Sequence, residues 1–150
     1  MSSRATIAMS DQELRGFLME EHSLTCATIN PNGRPHLVEL WYLVDGDEIV
    51  CWTYAKSQKV RNLERDPRAT IQVEAGESYG ELRGAVMECD VGIDRDPERV
   101  VAAGIALATG YPRPPDEQAR ASIARQAPKR VVLRFTPTHT ASWDHRKLGG

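Results

Sequence analysis

Between Trp52 and Arg68 the chain reads Trp-Thr-Tyr-Ala-Lys-Ser-Gln-Lys-Val-Arg-Asn-Leu-Glu-Arg-Asp-Pro-Arg. Hydroxyls and cations crowd the point where an apolar strand should give way to a helix. A helix start carries unpaired backbone N–H groups and the positive end of the helix dipole. Adding Ser57, Lys56, Lys59 and Arg61 to such a start makes a cradle for a phosphate. Five cations (Lys56, Lys59, Arg61, Arg65, Arg68) face two anions (Glu64, Asp66), a local +3 in a chain whose formal net charge is −2. A short basic patch in a mildly acidic protein suits a small anion better than nucleic acid. Arg61 has a second reading, pairing with Glu64 or Asp66 on a solvated helix face.

Upstream lies a strand with two usable faces. His36, Val38, Leu40 and Tyr42 share one face, and Leu37, Glu39, Trp41 and Leu43 the other. Both are largely apolar, as expected of a strand covered on each side. Such a strand offers a flat ring apolar walls and backbone hydrogen bonds. Glu39 is costly if buried without a partner, so it is expected at an interface or beside a cation. His22, His36, His139 and His145 show no metal-ligand spacing, and no metal site is expected. No nucleophile motif of the Gly-x-Ser-x-Gly type occurs. Cys26, Cys51 and Cys89 are odd in number, lack a Cys-x-x-Cys pair and lie in apolar runs, which reads as buried reduced thiols.

These residues need a frame. The 150 residues suit one domain spanning 1–150. Met1 to Thr6 reads as a loose arm. Ser10-Asp-Gln-Glu13 is a capping box, starting a helix over about 10–21. Strands are expected at Leu24–Ile29, His36–Val44 and Glu48–Thr53, joined by turns at Asn30–Gly33 and Asp45–Asp47. A helix from Ser57 ends before Pro67. Ala69–Glu74 and Glu81–Ile93 are further strands. A helix runs from Asp94 or Asp96 through Leu107, Gly110–Pro115 breaks it, and Asp116–Gln126 is a short polar helix. Arg130–Phe135 is the last strand, with an extension toward Trp143. The 97–126 segment reads as packing, with a lid as the other possibility. Tight turns between early strands require antiparallel pairing and exclude a dinucleotide-binding βαβ unit, which also lacks its glycine motif. The expected fold is mainly β with α: a six-stranded antiparallel split β-barrel with peripheral helices. No apolar stretch is long enough to span a bilayer and no signal peptide is evident, so a cytoplasmic protein without membrane contact is expected.

The order of elements, with Asn30-Pro-Asn-Gly-Arg-Pro-His36, Trp41-Tyr42, Ser57-Gln-Lys-Val-Arg-Asn-Leu63, Arg65-Asp-Pro-Arg68 and the long strand after Tyr79, resembles the flavin-binding split β-barrel superfamily. That superfamily includes pyridoxamine 5′-phosphate oxidase and the flavin/deazaflavin oxidoreductases. The chain looks most like the actinobacterial deazaflavin-dependent branch, over roughly Ser10 to Val91 plus the final strand. The resemblance implies a homodimer with cofactor sites at the interface. It places the cofactor along His36, Leu37, Val38, Glu39 and Trp41, and its phosphate near Thr53, Lys56, Ser57, Gln58 and Lys59. Lys59 matches the family's phosphate lysine, and Tyr79 and Trp143 are candidates to close the site from the other subunit. At Gln58 the oxidase family proper has an arginine, which argues against vitamin B6 oxidation.

The implied activity is hydride transfer from reduced coenzyme F420 to a small unsaturated organic acceptor. An FMN-dependent oxidase or flavin reductase is the alternative, and a non-enzymatic cofactor carrier or redox sensor is a second. The cofactor carries the redox chemistry, so the lack of a catalytic triad fits. The proton comes from solvent or from Tyr42, Tyr54, Tyr79 or His36.

Overall fold

A computed structural model describes residues 3–109 and 115–149, apart from the Ser3 side chain. Two short helices lead in: α1 (Ser3–Ile7) and α2 (Asp11–Glu20). The expected loose arm Met1–Thr6 is thus helical from Ser3. The capping box of α2 is present, with Ser10 and Glu13 bonded reciprocally.

Six strands follow: β1 (Ser23–Ile29), β2 (Pro35–Asp45), β3 (Glu48–Tyr54), β4 (Arg68–Ala75), β5 (Arg83–Asp94) and β6 (Arg130–Asp144). They close a barrel in the order β1-β2-β3-β6-β5-β4, antiparallel at every pairing. The period-2 alternation fills its interior: Ala69, Ile71 and Val73 of β4 point in while their neighbours face out. Leu24, Cys26, Cys51, Met87, Leu133 and Phe135 meet them there. Gly33 and Gly46 carry the first two hairpin turns at φ 83° and 61°, a region open to glycine without strain. The last strand is longer than its apolar run alone suggests. A bulge at Glu88/Cys89 lets β5 and β6 stay paired from Asp94↔Val132 down to Arg83↔Asp144.

Three helices lie outside. α3 (Gln58–Arg65) sits between β3 and β4, and α4 (Pro97–Thr109) and α5 (Glu117–Gln126) between β5 and β6. Val100 and Ala103 of α4 cover Val50 and Val132 on the outer face of β3 and β6. Gly104 lets α4 come close, since a Cβ there would meet Trp52 and Ile123 side chains at 2.9 Å. α4 thus packs on the sheet; the expected break at Gly110–Pro115 lies outside the described residues except for Pro115. No helix of the described chain is long and apolar enough to cross a membrane.

Candidate functional site

The barrel is split at one seam. β2 and β3 pair from Asp45↔Glu48 to Tyr42↔Cys51, and there the ladder ends. Beyond it β2 stays with β1 while β3 stays with β6. The Tyr42 N–H donates to the His22 carbonyl at 3.0 Å, so even-numbered β2 residues turn their backbone groups to β1. Odd-numbered ones face the seam. Leu37 and Glu39 therefore present N–H and C=O groups to an open edge. Their side chains lie on the outer sheet face, where Leu37 is 65% and Trp41 63% exposed. Among the described residues α4 covers the outer face of β2 at Leu43 and leaves it open at Leu37 and Trp41. Glu39 accepts a hydrogen bond from Thr25, its register partner on β1, and forms no ion pair among the described residues.

The inner face carries a different set. Thr53 and Lys59 are buried, and the Lys59 ammonium donates to Thr53 Oγ1 at 2.7 Å inside the barrel mouth. Burial holds the Lys59 pKa below its ordinary value. Burial likewise pushes the Cys26 thiol up to about 12 and Cys51 well above its usual range. All three cysteines are free, buried thiols. His36 stands opposite Thr28, and its Nδ1 is buried without a partner. Tyr42 is buried and its hydroxyl donates to the Leu18 carbonyl at 2.6 Å, which removes it from the proton donors considered above.

α3 closes this end of the barrel. Ser57 is its N-cap but makes no side-chain cap bond; its Oγ donates to the Tyr54 carbonyl at 2.8 Å instead. The first-turn N–H groups of α3 are left uncapped by a side chain. Much of the rest of the motif is spent on docking the helix. Asn62, fully buried, donates to Thr28 Oγ1 and Asn30 Oδ1, both at 3.0 Å, and accepts from Gln58. Arg65 donates to the Ile29 carbonyl, and Arg68 clamps Asp66. Glu64 pairs with Arg95 instead, so among the described residues Arg61 has no ion-pair partner. It stays exposed, as does Lys56.

Tyr79 lies in a 3-10 turn before β5, and Trp143 near the end of β6. Tyr79 is 72% exposed, its ring 4.6 Å from that of His145. Trp143 lies across Gly84, its register partner. The structure thus brings Thr53, Ser57, Gln58 and Lys59 to one end of the barrel with His36. It sets Leu37, Glu39 and Trp41 on the adjoining outer face, with Trp143 farther round that face on β6 and Tyr79 in the turn before β5. Five surface clefts of about 200 to 450 Å³ lie elsewhere, and none of these five is lined by a candidate cofactor-binding residue. With Leu37, Trp41 and Tyr54 all more than half exposed, the candidate region of one chain is an open shelf.

Sequence reasoning missed Arg130. It pairs with Tyr54, its guanidinium carbon 3.6 Å from the Tyr54 ring centroid and 4.8 Å from that of Trp52. Only the β3–β6 register brings it beside the seam, and nothing in the local pattern of β6 signals that. Among the described residues no group of three or more possible metal ligands occurs.

Comparison with known proteins adds lineage. A family model for pyridoxamine 5′-phosphate oxidase matches residues 10–144. The conserved hypothetical protein Rv2991 from Mycobacterium tuberculosis is 39% identical, with a TM-score of 0.90 over 100% of this chain and 94% of that one. An F420 reductase is 22% identical, with a TM-score of 0.65 over 84% and 94% of the two chains. A pyridoxamine 5′-phosphate oxidase-like protein from Listeria innocua is 13% identical, with a TM-score of 0.67 over 87% and 95%. No protein of curated function matches the sequence.

Proposed function

This chain belongs to the pyridoxamine 5′-phosphate oxidase family, and we propose that it is an oxidoreductase holding a phosphorylated flavin-type cofactor at the β2–β3 seam. One observation carries the reading: the open backbone edge at Leu37 and Glu39 lies at the same end of the barrel as the uncapped start of α3. A tricyclic ring needs in-plane hydrogen bonds, and a strand edge supplies N–H and C=O groups in alternation. A phosphate needs converging N–H donors and positive charge, and the α3 start with Lys56 and Ser57 supplies these. Two buried nitrogens without partners, His36 Nδ1 and Arg130 Nε, fit a site completed by a ligand.

Bound there, such a cofactor supplies hydride transfer with a small organic acceptor. The residues of the chain bind and orient. Leu37 and Glu39 fix the ring edge, and the α3 amides hold the phosphate. Lys59 braces Thr53 from inside the barrel and adds positive charge behind it. Tyr54 and His36 are the side chains near the seam able to hand over a proton.

FMN is the first reading, since the family description concerns oxidases. Coenzyme F420 is the second, and a specific feature favours it: exposed Lys56 and Arg61 are more charge than one phosphate requires and suit an acidic tail. Titrating the purified protein with each cofactor, read by fluorescence, tests both. Saturable quenching by FMN with a yellow holoprotein supports the first; tighter quenching by F420 from a colourless protein supports the second. No saturable response to either would remove the function.

A further inference from the structure

We propose that Arg130 is the principal anion-holding residue of this site, taking the phosphate monoester of the cofactor in the place the resemblance gives to Lys59. The inference rests on the cofactor reading above, but its geometry stands apart.

Arg130 opens β6 directly opposite Tyr54 of β3. The Tyr54 carbonyl accepts from both the N–H and the Oγ of Ser57, at 3.2 and 2.8 Å. Arg130 therefore stands opposite the residue whose carbonyl holds Ser57, the N-cap of α3. Its guanidinium is held in place by the Tyr54 and Trp52 rings. Trp52 is itself fixed, since its Nε1 donates to the Val100 carbonyl at 2.8 Å. Stacking of this kind orients the planar fork without using its donors.

Those donors are largely unspent. Nη2 donates to Gln126 Oε1 at 2.7 Å, whereas Nε is buried with no partner. Among the described residues no carboxylate forms an ion pair with Arg130. A buried donor without an acceptor is costly, and a guanidinium is matched to two oxygens of one phosphate. A bound phosphate would supply the missing acceptor and the missing counter-charge together.

Lys59 is placed differently. Lys59 is 7% exposed, and its ammonium is committed to Thr53. It lies close enough to Arg130 for that charge to act on it. Two cations thus share one end of the barrel, and the one with donors to spare is Arg130. Lys59 acts from behind, through Thr53.

FMN and riboflavin differ only in the phosphate, so their binding constants isolate the contact. Wild-type protein should prefer FMN by roughly ten- to a hundredfold, the scale of charge-assisted contacts. In R130Q the preference should collapse to within about threefold while riboflavin binding stays put, and R130K should lie between, keeping charge but not the fork. A preference unchanged in R130Q, or riboflavin weakened as much as FMN, would overturn the assignment in favour of packing alone. A second arm needs no flavin: inorganic pyrophosphate should raise the melting temperature of wild-type protein and not of R130Q. Equal shifts in the two, or none in either, also overturn it. If wild-type protein binds neither flavin yet responds to pyrophosphate through Arg130, the cofactor reading falls and the anion site stands.

Discussion

Lys59 shows how little a side chain's type says about where its charge will act. On a helix start among hydroxyls it reads as a phosphate ligand. In the fold it turns inward, and its ammonium rests on Thr53 Oγ1 at 2.7 Å beside neutral thiols. Burying an ammonium is tolerable only with such a partner. Thr53→Val keeps shape and removes the acceptor, so it should lower unfolding stability by about 1–3 kcal/mol, the cost of an unsatisfied buried donor. Urea denaturation of the two proteins measures this. An unchanged midpoint would mean that Lys59 finds another partner, and that its inward position is not held by Thr53. Burial depresses the lysine pKa, so the unfolded chain holds that proton more firmly. Stability from this group therefore rises with pH between its folded value and the ordinary lysine value.

At the scale of elements, α2 offers a cleaner titration. Glu13 accepts from the Ser10 N–H at 2.9 Å and from Lys147 Nζ at 2.9 Å. The Ser10 backbone bond, then the lysine, hold its pKa at about 2. A carboxylate lowered by folding stabilises above its unfolded value and loses that contribution as pH falls through its folded one. Glu13→Gln should therefore flatten the fall in melting temperature between the ordinary glutamate value and about pH 2, compared with wild type. Parallel acid limbs for the two proteins would show that the box contributes nothing through charge.

The packing of β5 on β6 gives a second test at this scale. A Cβ on Gly84 would come within 2.2 Å of the Trp143 ring. Gly84→Ala must displace that ring, with an expected loss of about 1–3 kcal/mol from overpacking, read by the urea midpoint and by a red shift in tryptophan emission. The elements themselves were largely legible in the sequence: turn glycines, the Ser10 box and Pro67 mark their ends, and alternation marks the strands. What was not legible depends on partners distant in the chain. Asn62 reads as part of a binding motif, yet it pins α3 to β1. The seating of Trp143 on Gly84 follows from the β5–β6 register alone. Arg130 carries no local signal at all. Side-chain direction at a barrel mouth is set by closure of the sheet, which no window of sequence contains.

At the scale of the whole molecule, the outer face of the sheet poses the largest question. Leu37 and Trp41 on β2 are more than half exposed, and register continues this face across β1 and β4 to Trp143 on β6. Two large apolar side chains exposed on either side of Glu39 on one strand, on a face otherwise lined by polar residues such as Thr25 and Gln72, mark an interaction surface. A second copy meeting it across a two-fold axis would cover Trp41 and turn the shelf at the seam into a pocket. On that reasoning wild-type protein should sediment as a dimer at micromolar concentration. Trp41→Glu would place an unpaired charge in the contact and should shift it to monomer, weakening cofactor binding at least tenfold because half of each pocket departs with the partner. Sedimentation and fluorescence titration on the same samples separate the causes. A variant that stays dimeric but loses the cofactor would make Trp41 a wall of the ring site alone. Monomer in the wild type at these concentrations would sink the dimer, and the seam would then have to hold its ligand with the residues of one chain.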